Sequence, residues 1–178
     1  METLRLEKKD FVEIDGMLTY EKDLSFDGHI EIEANLGWVL FKKMVKATRY
    51  VVAEVGTGIK AGEGIEAGWG IKAGWGIKAG EGIKAGWGIE AGTSIEAGTS
   101  IEAGWGIEAG WGIEAGEGIE AGEGIEAGLG IISFYASLTA KWISCLRIAV
   151  GFHSKTEQTI KAEIRKGDVV LGKVEAKA

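Results

Sequence analysis

Twelve consecutive hexads of the form Ile-(Lys/Glu)-Ala-Gly-x-(Gly/Ser) fill residues 59–130, with Ile at every sixth position from Ile59 to Ile125. Six residues is too short for a helical repeat unit and matches one short strand plus one corner, the unit of a parallel β-helix. In an extended Ile-x-Ala triplet, Ile and Ala point one way and the middle residue the other. Ile and Ala are therefore expected inside, Lys or Glu outside, and Gly-x-Gly at the corner. Each glycine costs roughly 0.5–1 kcal/mol relative to Ala, so a block this rich in glycine must answer a steric need. The need expected from the residues is backbone freedom at a sharp corner, left-handed angles included.

The variable fifth position shows how many hexads make a coil. Sorted by threes it gives one column of Glu63, Glu81, Thr99 and Glu117, and a second of Trp69, Trp87, Trp105 and Glu123. The third is Trp75, Thr93, Trp111 and Leu129. Sorting by twos scatters the tryptophans. The predicted fold is all-β: a triangular parallel β-helix (β-solenoid) with three hexads, 18 residues, per coil, about six to seven coils, and caps at both ends.

The phase extends into the flanks of this single domain. Leu18, Leu24 and Ile30 open three upstream hexads, and Val39, Val45 and Val51 open three more after the extra residues Leu36, Gly37 and Trp38. Thr57 and Gly58 are a second insertion. Downstream, Ile131, Ile143 and Ala149 keep step, with Ser133 and Cys145 in the small slot. The expected organisation is an N-terminal cap at 1–17, degenerate coils at 18–58, regular hexads at 59–130, a degenerate coil at 131–148 and a C-terminal cap at 149–178. That last stretch reads as a hairpin around the turn Lys166-Gly167-Asp168.

Net charge is −7, and all of the excess lies in one half of the repeat. Residues 59–94 hold four Lys and four Glu; residues 95–130 hold eight Glu and no basic residue. Glu96 should stack under Glu114, Glu102 under Glu120 and Glu108 under Glu126, with Glu117 and Glu123 at corners. Like charges directly opposite on neighbouring strands destabilise a sheet. Such a field attracts a basic partner and makes bare DNA or RNA an unfavourable one. The block contains no Asp, which excludes the calcium-binding Gly-Gly-x-Gly-x-Asp pattern. One cysteine permits no internal disulfide and no cysteine-based zinc site, and is expected in the core. The start, METLRLEKKDF, lacks the apolar stretch of a signal peptide. The longest apolar run, 129–140, is too short to span a bilayer. A soluble, cytoplasmic protein without membrane contact is expected.

The hexads resemble those of the hexapeptide-repeat, left-handed parallel β-helix proteins, and more loosely the polymer-forming bactofilin-like β-helices. The resemblance covers about two thirds of the chain. It departs at the small residue, which that family sets two before the aliphatic; here Ala lies two after it. The resemblance to hexapeptide-repeat acyltransferases implies a catalytic His near a coil boundary. Only His29 and His153 are present, both in flanks without a family motif. No enzyme activity, metal or cofactor is expected. The leading reading is an interaction protein. Its acidic residues Glu96, Glu102, Glu108, Glu114, Glu117, Glu120, Glu123 and Glu126, with a band of Trp69, Trp75, Trp87, Trp105 and Trp111, bind a basic protein surface. A nucleic-acid-binding enzyme inhibited at its cationic groove is the concrete form, by analogy with acidic phage antagonists of bacterial defence. A self-assembling structural subunit and a glycan-binding rod are the two alternatives.

Overall fold

A computed structural model describes residues 2–135, 138–151 and 159–174. Among the described residues twenty-four strands form one sheet wound into a parallel β-solenoid of about eight turns. Ile59, Ile77, Ile95, Ile113 and Ile131 lie in register on face one. Ile65, Ile83, Ile101 and Ile119 do so on face two. Ile71, Ile89, Ile107 and Ile125 make face three. The vertical neighbour is thus eighteen residues away, as the tryptophan columns require. All twelve Ile and all twelve Ala of the triplets are buried, and each middle residue is half-buried or exposed. The core is three Ile columns meeting along the axis, and it contributes by removing apolar surface from water at every coil.

The upstream insertions lie where the spacing put them. Leu18 pairs with Val39, and Val39 with Ile59. The extra residues stack on each other, with Gly37 opposite Thr57 and Trp38 opposite Gly58. Thr57, fully buried, donates from Oγ1 to the Glu33 carbonyl at 2.7 Å and accepts from the Leu36 N–H at 3.1 Å. Burying that hydroxyl costs little, because both of its roles are filled. At the N-terminal end Val12–Ile14 folds back on Met17–Tyr20, the one antiparallel pairing among the described residues. The turn is Asp15-Gly16, both at positive φ (51° and 76°), the conformation a two-residue hairpin needs. It brings Phe11 over the open coil, edge-on to Phe41 at 5.8 Å.

Three expectations are corrected. First, face one continues at Ile148, not Ala149: Ile131 pairs with Ile148 and Ala149 stands opposite Ile132. Ile148 is fully buried there while Ala149 is half-buried, so the corner shortens to keep the larger apolar side chain inside. Second, Thr159–Leu171 is not a hairpin about Lys166–Asp168. It runs parallel along Leu138–Val150, with Ile160 on Leu138 and Ile164 on Ile143. Ile160-Lys161-Ala162 is another Ile-x-Ala triplet, and its Ile and Ala are buried like the others. This strand and Thr3–Leu6, which pairs parallel with His29–Ile32, bring the rod to about eight turns.

Third, the regular glycines are not left-handed: no residue of 59–130 has a positive φ. They are needed because successive corners nearly touch. A Cβ placed on Gly86 would lie 2.0 Å from the Gly68 carbonyl oxygen, and one on Gly104 2.0 Å from that of Gly86. Fourth-position glycine therefore permits backbone-to-backbone approach between coils.

Candidate functional site

Trp69, Trp87 and Trp105 project from successive turns at the corner between faces two and three. The Trp87 N–H donates to the Trp69 carbonyl and the Trp105 N–H to that of Trp87, at 2.6 and 2.8 Å. Those bonds hold the corners at strand spacing, so the indoles have to stack. Trp69 and Trp87 lie 5.1 Å apart at 2° and Trp87 and Trp105 5.6 Å apart at 12°. Below them Tyr50 meets Trp69 and Trp87 edge-on, and His29 stacks on Tyr50. His29 thus belongs to the aromatic stack; His153 lies outside the described residues. The Arg49 guanidinium sits over Trp69 at 4.7 Å, leaving Trp69 half-buried while Trp105 is 62 % exposed.

The five candidate tryptophans do not share one band. Trp75 and Trp111 belong to the corner between faces three and one, where Thr93 separates them in the backbone ladder. Indoles two coils apart stand about 9–10 Å from each other, beyond stacking range.

The outward slots form ranks. On face one Lys78 is followed by Glu96 and Glu114; on face two Lys84 by Glu102 and Glu120. On face three Lys72 is followed by Glu90, Glu108 and Glu126. In each rank the lysine pairs with the first glutamate only: Lys72 with Glu90 at 2.7 Å, Lys84 with Glu102 at 2.8 Å, and Lys78 with Glu96. Bonding to Lys84 holds the Glu102 carboxyl below its ordinary range, and the partner carboxylates raise Lys72 and Lys84. Glu123 pairs with Lys141. Glu108, Glu114, Glu117, Glu120 and Glu126 have no cation within 4 Å among the described residues and are exposed.

Between the Trp column and the face-three carboxylates runs a channel floored by the sixth-position glycines. It consists of a cavity of about 400 Å³ beside Tyr50, Trp87 and Lys72, and one of about 240 Å³ beside Glu108, Glu126 and Trp142. Gly88, Glu90 and Trp105 line both, so the two adjoin. The sequence reading missed Tyr50, Arg49, Trp142 and the glycine floor. The signal was available in the hexads themselves, where Gly70, Gly88, Gly106 and Gly124 follow the corner residues of one column without exception. A further cavity of about 410 Å³ on face one, beside Leu129, Ile132 and Val170, is mostly apolar.

Among the described residues no cluster of His, Cys, Asp and Glu is placed to hold a metal ion. No helix among the described residues is long and apolar enough to cross a membrane. Comparison with protein-family models, with curated proteins and with solved structures gives no match. What is shown is the parallel β-solenoid with its eighteen-residue step; no match ties it to the hexapeptide-repeat or bactofilin-like proteins.

Proposed function

We propose that this protein is a non-enzymatic interaction module whose acidic upper coils, with the neighbouring Trp column, bind a basic surface on a partner protein. The observation that carries this reading is the set of three carboxylate ranks, in register on all three faces, each neutralised only at its first glutamate. Like charges in directly opposed slots destabilise a sheet, and a Lys in place of Glu114 or Glu120 would remove that cost.

The charge density supports the concrete form of the partner. Residues 95–130 make two coils with eight carboxylates, of which Glu96, Glu102 and Glu123 are paired with lysines. At about 4.8 Å per coil, the remainder amount to one negative charge about every 2 Å of axis, close to the roughly 1.7 Å of duplex DNA. A cationic groove built for a nucleic acid meets a similar field on this rod. The reading is therefore an inhibitor that occupies the groove of a nucleic-acid-handling enzyme.

The test is pull-down of a purified cationic endonuclease at increasing salt, with a DNA-cleavage assay in parallel. Capture should decay between about 50 and 500 mM salt, as surface electrostatics does. It should vanish, with cleavage restored, in the triple variant Glu102→Lys, Glu108→Lys, Glu120→Lys. Capture unchanged by that variant rejects the reading.

A further inference from the structure

The channel on face three is filled at both ends by flat groups of the chain itself. At one end the Tyr50 ring covers Gly70, so that a Cβ there would lie 2.9 Å from Tyr50 Cε1. At the other the Trp142 ring covers Gly124, with ring atoms 2.2 Å from such a Cβ. Between them Gly88 and Gly106 meet only the backbone oxygen of the next coil, at 3.4 Å, and their outer surface is open. Both ends also carry a guanidinium on an indole: Arg49 over Trp69 at 4.7 Å and Arg165 over Trp142 at 4.6 Å. Among the described residues Trp105 bears none, and beside it Glu108 and Glu126 have no cation.

We propose that this gap receives arginine side chains from an extended basic segment of the partner, each guanidinium lying flat over Gly88 or Gly106. Trp105 offers one of them the π-face that Trp87 leaves uncovered, and Glu108 and Glu126 supply the carboxylates. This deepens, and rests on, the reading of the acidic coils as a surface for a basic protein. Arginine fits better than lysine because its cation is planar, stacks on aromatic rings and pairs with a carboxylate through two N–H donors. Arg-x-Arg in an extended segment puts two guanidinium groups on one side about 6.7 Å apart, within the roughly 10 Å spanned by two coils.

The experiment is fluorescence anisotropy of the full chain with labelled Gly-Arg-Gly-Arg-Gly and Gly-Lys-Gly-Lys-Gly. The arginine peptide should bind about tenfold tighter than the lysine peptide. The pair Glu108→Gln, Glu126→Gln should cost about tenfold. The pair Glu96→Gln, Glu114→Gln on face one should change binding less than about twofold. These substitutions keep side-chain shape and relieve repulsion, so the variants fold; Trp105→Ala, checked by circular dichroism, should weaken binding likewise. Equal losses from the two pairs, or equal affinity for the two peptides, overturn the channel while the endonuclease capture above still stands. Loss of that capture together with no peptide binding removes both.

Discussion

Lys84 and Glu102 hold the same outward slot on neighbouring coils, with Nζ 2.8 Å from Oε2, and Glu120 continues the rank with no cation against it among the described residues. A sheet selected for stability alone would alternate charge at this slot. Glu120→Lys restores alternation by placing a cation beside Glu102. It should stabilise the rod by about 0.2–1 kcal/mol, the range for exposed cross-strand ion pairs. The check is the urea midpoint at unchanged m-value. The same variant should capture the cationic endonuclease less well, and a lower midpoint would show that repulsion in the rank is not what the slot costs.

The stacked and isolated tryptophans should respond differently to truncation. Trp87 stacks on Trp69 below and Trp105 above, whereas Trp111 has no ring in contact among the described residues. With the edge-on Tyr50, Trp87 makes three aromatic pairs, which at ~0.5–1.5 kcal/mol each make Trp87→Ala costlier than Trp111→Ala by about 1.5–4.5 kcal/mol. Parallel indoles so close also couple optically. The aromatic circular dichroism of the folded chain should therefore drop in Trp87→Ala by far more than one residue's share, and stay nearly proportional in Trp111→Ala.

The coil was legible because Ile at every sixth position and the fifth-position columns test the same period independently. The flanks were legible where an aliphatic kept phase, as at Val39 and Val51, and failed where corners changed length, as at Ile148. Ile160-Lys161-Ala162 carries the same triplet, but it stands one residue out of the sixfold phase set by Ile59 to Ile125. Which glutamates face which lysines followed directly from the eighteen-residue step. The channel did not, because it depends on ring placement: Tyr50 and Trp142 come from degenerate coils, and only coordinates show their rings over Gly70 and Gly124.

Cys145 occupies the slot that Ala fills in the regular coils, and burial pushes its thiol up from 9.0 to about 11, against backbone hydrogen bonds that favour the thiolate. The folded chain therefore keeps a proton that the unfolded chain releases between pH 9 and 11. Its stabilising contribution is present below pH 9 and is lost as pH rises through that window. Lys72 and Lys84, raised by their carboxylates, lose stability in the same direction at high pH. Cys145→Ala should thus show a smaller, but not zero, fall in urea midpoint between pH 8 and 10.5 than the parent. A disulfide reagent at pH 8 should label the parent only after denaturation. Identical pH profiles for parent and variant would mean that the thiol titrates as if in water.

The two glycines of a corner should differ in what they tolerate. A methyl on Gly86 would lie 2.0 Å from the Gly68 carbonyl oxygen, which is backbone and cannot swing aside, so the coils must part locally. On Gly88 the nearest atom is the Gly106 oxygen at 3.4 Å, an ordinary contact, and φ is not positive there. Gly86→Ala should therefore destabilise by about 1–3 kcal/mol, the usual cost of forcing extra volume into a packed position. Gly88→Ala should be neutral or stabilising by up to about 1 kcal/mol, because it narrows the freedom of the unfolded chain at no strain. Paired urea melts decide the matter: equal losses at both positions would put the demand for glycine in backbone angles, and a loss at Gly86 alone puts it in the distance between coils.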